Sequence, residues 1–172
     1  RKLGVEGEDL EGVFDALDFL KQVNNDGRVK VGERVVVVGG GNVAIDSART
    51  ALRQGAKEVT ILYRRSRDEM PANPYEILEA EGEGVKIQFL VAPKRILGQN
   101  EQVTGLECIK MELGEPDETG RRAPKPVEGS EFTVPVDTVI LAIGEAPDLS
   151  FLHKEVELTE GNTIAVEPFT AE

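Results

Sequence analysis

Four consecutive valines, Val35-Val36-Val37-Val38, run without a break into Gly39-Gly40-Gly41. This junction constrains the fold more than any other stretch of the chain. An uninterrupted β-branched run fits a strand buried on both faces, as in the middle of a parallel sheet, rather than a half-solvated strand of alternating pattern. The residues that follow, Val43–Gln54, carry Ala and Leu at helical spacing and stop at Gly55, as a helix with a glycine just past its end does. Glu58–Tyr63 then supplies a second strand. The three segments make a β-α-β unit, whose crossover is expected to be right-handed.

The flanking chain extends this unit. Asp9–Val23 has the apolar spacing of a helix, and Asn73-Pro74 is an N-cap and first-turn pair for another, running to about Glu81. Val85–Leu90 predicts a third strand. From Ala92 the pattern becomes antiparallel, with strands at Pro93–Leu97, Val103–Leu113 and Ser130–Val136 and a loop over Gly114–Gly129. Asp137–Gly144 is again an unbroken apolar strand, expected to return to the parallel sheet. Val156–Leu158 and Thr163–Val166 read as a small hairpin across Gly161-Asn162. The fold class is α/β: one Rossmann-like domain over residues 1–172, its parallel sheet flanked by helices and interrupted by an inserted antiparallel β-meander, with its core at about residues 31–148.

Composition removes several classes of function. With 32 Asp+Glu against 20 Lys+Arg, a net charge of −12 and a pI near 4.7, the chain lacks the basic footprint of a nucleic-acid or membrane-surface binder. Its one cysteine, Cys108, and one histidine, His153, exclude an intrachain disulfide, a CxxC pair and a Cys/His metal centre. Cys108 falls in a strand pattern and reads as packing; His153, in the polar tail, reads as a surface residue. No apolar run approaches the ~18 residues of a spanning helix, and no leader opens the chain, so the expectation is a cytoplasmic protein that binds no metal.

The feature that carries chemistry is Gly39-x-Gly41-x-x-Ala44 between strand and helix. Gly39 permits the tight turn, Gly41 lets a pyrophosphate approach the backbone, and Ala44 allows close packing of helix on strand. The helix then offers unpaired N–H groups and the positive end of its dipole to phosphate. A glycine turn that merely packs the helix is the bland alternative. A second discriminator lies 20 residues on, where an NAD site places a carboxylate on the ribose 2′-hydroxyl. Here Arg64 and Arg65 stand instead, with Arg67 close by. Two guanidinium forks suit the 2′-phosphate of NADP(H); against that stands a plain solvated basic loop. Ala142-Ile143-Gly144 ends the last strand where such sheets present ligands. Asp46, placed in the first turn of the helix, reads as a dipole-complementing carboxylate. No nucleophile, base or metal cluster emerges, which suits hydride transfer, where the cofactors carry the chemistry.

Taken in order, Gly39-Gly40-Gly41-Asn42-Val43-Ala44-Ile45-Asp46, Leu62-Tyr63-Arg64-Arg65, Glu69-Met70-Pro71-Ala72 and Ala142-Ile143-Gly144 with Pro147-Asp148 resemble the NADPH-binding domain of the glutamate synthase small (beta) subunit and related FAD-dependent pyridine nucleotide oxidoreductases, dihydropyrimidine dehydrogenase among them. Leu3–Val13 is similar to the segment that joins the FAD domain to the NADPH domain in that family. The resemblance implies Gly39, Gly40, Gly41, Asn42, Val43 and Ala44 at the pyrophosphate, Arg64 and Arg65 at the 2′-phosphate, and Ala142, Ile143 and Gly144 toward the nicotinamide. It further implies a parent flavoprotein oxidoreductase whose FAD domain, and any iron–sulfur clusters, lie outside this chain. Residues 1–30 and 149–172 would be connections toward that domain, and a larger catalytic subunit is an implied partner. The start without methionine fits a piece of a longer protein. One departure is Asn73, where the family often has arginine. Two other readings stand beside this one: the NAD(P)H domain of a thioredoxin-reductase-like flavoprotein, against which the missing CxxC counts, and a free-standing nucleotide-binding module.

Overall fold

The computed structural model describes residues 2–116, 122–144, 156–157, 159 and 163–166. One compact unit spans Lys2–Ile143, and a second is built from Gly144 onward. In the first, five parallel strands form a sheet in the order β1-β9-β2-β3-β4: β1 (Val13–Asp15), β2 (Arg34–Val38), β3 (Glu58–Tyr63), β4 (Lys86–Phe89) and β9 (Thr138–Leu141). The helices are α1 (Ala16–Asp26), α2 (Asn42–Arg53) and α3 (Pro74–Gly82), and the inserted strands are β5 (Val91–Gln99), β6 (Gln102–Pro116), β7 (Arg122–Pro126) and β8 (Phe132–Pro135). β6 pairs antiparallel with β5, β7 and β8.

The valine run is buried on both faces, and by two different layers. Val35 and Val37 join Phe19 of α1, Ala44, Ile45, Ala48 and Ala51 of α2, and Ile77 and Ala80 of α3 in one core. Val36 and Val38 point the other way, into a second core with Ile96, Val103, Leu106 and Cys108 of the inserted sheet. The strand's period of two thus divides one run of identical residues between a helical layer and a β layer. Burial pushes the Cys108 thiol up to about 12, so it packs as a small apolar side chain, as expected.

Three elements differ from the sequence expectation. The helix anticipated over Asp9–Val23 begins only at Ala16, because Gly12 turns the chain with φ +95° and Asp15 caps the helix, its carboxylate accepting from Leu17 N at 2.9 Å and Asp18 N at 3.3 Å. Val13–Asp15 is instead the edge strand β1, in register with Val139–Leu141, so the core starts well before residue 31. The loop anticipated over Gly114–Gly129 is partly strand: β6 continues to Pro116 and pairs with β7, Leu113 opposite Pro124 and Met111 opposite Pro126. Those prolines are tolerated because β7 is an outer strand of its sheet, where a missing N–H breaks no ladder. The last parallel strand ends at Leu141 rather than Gly144. In the tail, Ala165 N donates to Glu157 O and Thr159 N to Thr163 O, each at 2.8 Å, consistent with hairpin pairing; Leu158 and Gly161-Asn162 lie outside the described residues.

At the amino end of the sheet, Asp137 ties β9 to β2. Its carboxylate accepts the Arg34 backbone N–H at 2.9 Å, Arg34 Nε at 3.1 Å and Nη2 at 2.5 Å. The hydrogen bond from the Arg34 side chain holds the Asp137 carboxyl below its ordinary value. A depressed folded-state value means that this stabilisation is complete above the unfolded carboxyl's pKa and disappears as pH falls through the folded one. Asp137→Asn should therefore cost about 1–2 kcal/mol near neutrality, the part-exposed pair being discounted for screening. Denaturant titrations of the two proteins should converge as the pH is lowered into the acid range; a gap that stays constant with pH would rule out the charge as its source.

Candidate functional site

The parallel register brings three strand ends to one place. Val38 lies beside Leu141 of β9 on one side and Leu62 of β3 on the other, so the glycine turn leaves the sheet between Ala142 and Tyr63. Both neighbours shape it. Gly39 has φ +150°, and a Cβ there would strike the carbonyl oxygen of Ala142; its N–H donates to Leu62 O at 3.1 Å. A Cβ on Gly40 would meet the Tyr63 ring, and Gly40 O accepts from Ala72 N at 3.1 Å. Gly41 is different. It is the N-cap of α2 in extended conformation (φ −91°, ψ 176°) with no side-chain cap, and a Cβ added to it meets nothing within 4 Å. The chain's own packing requires Gly39 and Gly40 to be glycine, and places no such demand on Gly41.

Asn42 and Val43 follow, both exposed at the first turn of α2, and Ala44 is fully buried against the sheet. Among the described residues the N–H groups of Asn42 and Val43 find no acceptor, as the opening of a helix requires. Asn42 is held by Asn73, the N-cap expected from the sequence: its Oδ1 accepts from Asn73 N at 2.9 Å, while Asn73 Oδ1 caps α3 through Tyr75 N at 3.0 Å. The residue that departs from the family pattern thus both caps one helix and steadies the start of another. Asp46 is exposed and lies one step beyond the first turn of α2, so it does not sit among the free N–H groups as expected.

The arginines after β3 have three different environments. Arg64 is exposed. Arg65 is only 8% exposed, and its Nε is buried without a hydrogen-bond partner. Arg67 is engaged, ion-paired to Glu81 and lying 5.7 Å from the centre of the Phe89 ring. Among the described residues neither Arg64 nor Arg65 meets a carboxylate. The loop itself is anchored: Leu90 N donates to Arg65 O at 3.1 Å, and the Tyr63 hydroxyl donates to Glu69 O at 2.7 Å. Ser66 and Glu69 form a capping box, and Arg122 from β7 adds its Nε to Glu69 Oε1 at 2.7 Å. The Ser66 hydroxyl, and after it Arg122, holds the Glu69 carboxyl below the usual range. The Ser66-x-x-Glu69 spacing was a visible signal for the capping box; nothing local announced Tyr63 or Arg122.

Ala142 and Ile143 are half-buried just past β9, and Gly144, exposed with φ +92°, opens the second unit. Pro147-Asp148 and His153 lie outside the described residues. No cluster of metal-ligating side chains occurs among the described residues, and none of their helices is long and apolar enough to cross a membrane.

A glycine turn at the carboxyl end of a central parallel strand, opening a helix and flanked by two further strand ends, defines a Rossmann-like domain. A structure of FprA from Mycobacterium tuberculosis superposes with a TM-score of 0.70 at 25% identity, over 84% of this chain and 47% of that one. The chain belongs to the family described as pyridine nucleotide-disulphide oxidoreductase, whose profile matches residues 1–171. It is similar to the NADPH-Fe(3+) oxidoreductase subunit beta of Geobacter sulfurreducens, 53% identical over 170 residues, which are 95% of this chain and 25% of that protein. It is also similar to the glutamate synthase [NADPH] small chain of Escherichia coli K12, 44% identical over 179 residues, 95% of this chain and 38% of that one. The chain therefore spans between a quarter and two-fifths of the length of these relatives.

Proposed function

We propose that this chain is the NADPH-binding domain of a flavoprotein oxidoreductase of the glutamate synthase small-chain type. The observation that carries the reading is the state of Arg64 and Arg65. In a chain where acids outnumber bases 32 to 20, two adjacent arginines at the end of β3 have no carboxylate among the described residues, and one of them buries an unpartnered Nε. A buried Nε–H without an acceptor is costly, and the 2′-phosphate of NADPH supplies one. Gly41 supports the other half of the site: it is the N-cap of α2 and a Cβ there would meet no protein atom within 4 Å, which leaves the backbone at the start of the helix open to a pyrophosphate.

In this reading Gly41, Asn42 and Val43 hold the pyrophosphate, Arg64 and Arg65 the 2′-phosphate, and Ala142, Ile143 and Gly144 border the nicotinamide. The nicotinamide, when bound, supplies a hydride for a flavin held elsewhere in the parent polypeptide. This chain's own part is to bind and orient, and the names of its relatives, an NADPH-Fe(3+) oxidoreductase subunit and an NADPH glutamate synthase chain, support both the nucleotide and a partner subunit as onward acceptor. Titration calorimetry of the isolated chain should show NADPH binding at least about tenfold more tightly than NADH, from one charge-assisted contact of about 1.5–3 kcal/mol. Equal affinities would overturn the assignment.

A further inference from the structure

The loop that carries Arg64 and Arg65 is held by contacts that nearly all arise within the β-α-β framework: Tyr63 on Glu69 O, Leu90 on Arg65 O, and Ser66 on its own capping glutamate. One does not. Arg122 comes from β7, in the inserted meander, 53 residues along the chain from Glu69. The glutamate divides its two oxygens between the two sides. Oε2 accepts the Ser66 N–H at 3.1 Å and the Ser66 hydroxyl, while Oε1 accepts Arg122 through both Nε, at 2.7 Å, and Nη2. The Glu69 side chain is 14% exposed and that of Arg122 40% exposed.

This arrangement has an electrostatic consequence. Glu69 is the carboxylate nearest in sequence to Arg64 and Arg65 whose charge is shielded from water, and a partly buried carboxylate seeks a cation. With Oε1 committed to Arg122 and Oε2 to Ser66, it is not available to either arginine of the loop. Released from Arg122, the same carboxylate would gain a free oxygen within the loop that carries Arg64 and Arg65, and the loop would lose the ion pair that ties it to β7 of the meander.

We propose that Arg122 is a positioning residue for nucleotide specificity: by occupying Glu69 it fixes the Arg64–Ser66 segment and keeps Arg64 and Arg65 free for a 2′-phosphate. The proposal rests on the NADPH reading above. It assigns the inserted meander a part in discrimination as well as in packing.

The test is calorimetric titration of this chain and its Arg122→Ala and Arg122→Lys variants with NADPH, NADH, 2′,5′-ADP and 5′-AMP. Arg122→Ala should weaken NADPH and 2′,5′-ADP by about five- to tenfold, the scale of coupling between residues in one ion-pair network, and leave NADH and 5′-AMP within about twofold. Arg122→Lys keeps a cation on Glu69 and should recover most of the loss. A parallel fall for all four nucleotides would show a purely structural role, and unchanged affinities would show none; either overturns the proposal. If the unmodified chain itself fails to prefer NADPH, the functional reading falls and takes this inference with it. A wild-type preference that survives in Arg122→Ala removes this inference alone.

Discussion

Gly41→Ala should give a chain that unfolds almost as the parent does and has lost most of its affinity for NADPH. The backbone at Gly41 is extended, at φ −91° and ψ 176°, which any L-residue adopts, and the added methyl meets no protein atom within 4 Å. The folding cost is that of a poorer N-cap, about 0.5–1 kcal/mol. The binding cost is larger, because a Cβ on the open side of the turn holds the pyrophosphate away from several N–H donors at once. Each charge-assisted bond is worth about 1.5–3 kcal/mol, so the loss is on the order of 100-fold in affinity. Gly39→Ala should do the reverse. At φ +150°, with the Ala142 carbonyl in the way, it incurs backbone strain of about 1–3 kcal/mol and a similar overpacking penalty, a large part of the ~5–15 kcal/mol that holds a domain together. Denaturant unfolding and NADPH titration of both variants separate the two glycines. Gly41→Ala with undiminished affinity would mean that nothing approaches the turn from outside.

The layout behind this contrast was only partly visible in the residues. Val35–Val38 announced a strand buried on both faces, and the turn into α2 announced itself by residue type and order. The sequence could not show what covers each face, because Val35 and Val36 are the same residue facing a helical layer and a β layer. β1 was hidden by coincidence: Leu10, Val13, Phe14 and Leu17 satisfy a helical spacing, yet Val13–Asp15 pairs with a strand more than 120 positions away. Local pattern holds no record of such a partner. At the site the same limit recurs. Arg64 and Arg65 are chemically identical and adjacent, and only tertiary packing makes one exposed and the other buried. Gly40 shows why Tyr63 stands at the end of β3, since the ring occupies the space a side chain at 40 would need; neither residue signals the other from its own neighbourhood.

That asymmetry between the arginines yields the sharpest test of nucleotide choice. Arg64→Ala removes an exposed cation that makes no ion pair among the described residues, so thermal stability should stay within about 0.5 kcal/mol of the parent. NADPH affinity should fall by about 10- to 100-fold, the value of one charge-assisted phosphate contact, while NADH affinity holds. Because Arg64 is exposed, the difference should shrink as salt is raised, screening acting on solvent-facing charges within a Debye length of ~10 Å at 0.1 M. Arg65→Ala should also lower NADPH affinity, but its buried side chain leaves a void, so this variant loses stability as well, by about 1–3 kcal/mol. A lost preference confined to Arg65→Ala would assign the phosphate to the buried guanidinium, whose unpartnered Nε already lacks an acceptor. A preference that survives both substitutions would overturn the assignment of the 2′-phosphate to Arg64 and Arg65, and Arg67 is already committed to Glu81 and Phe89.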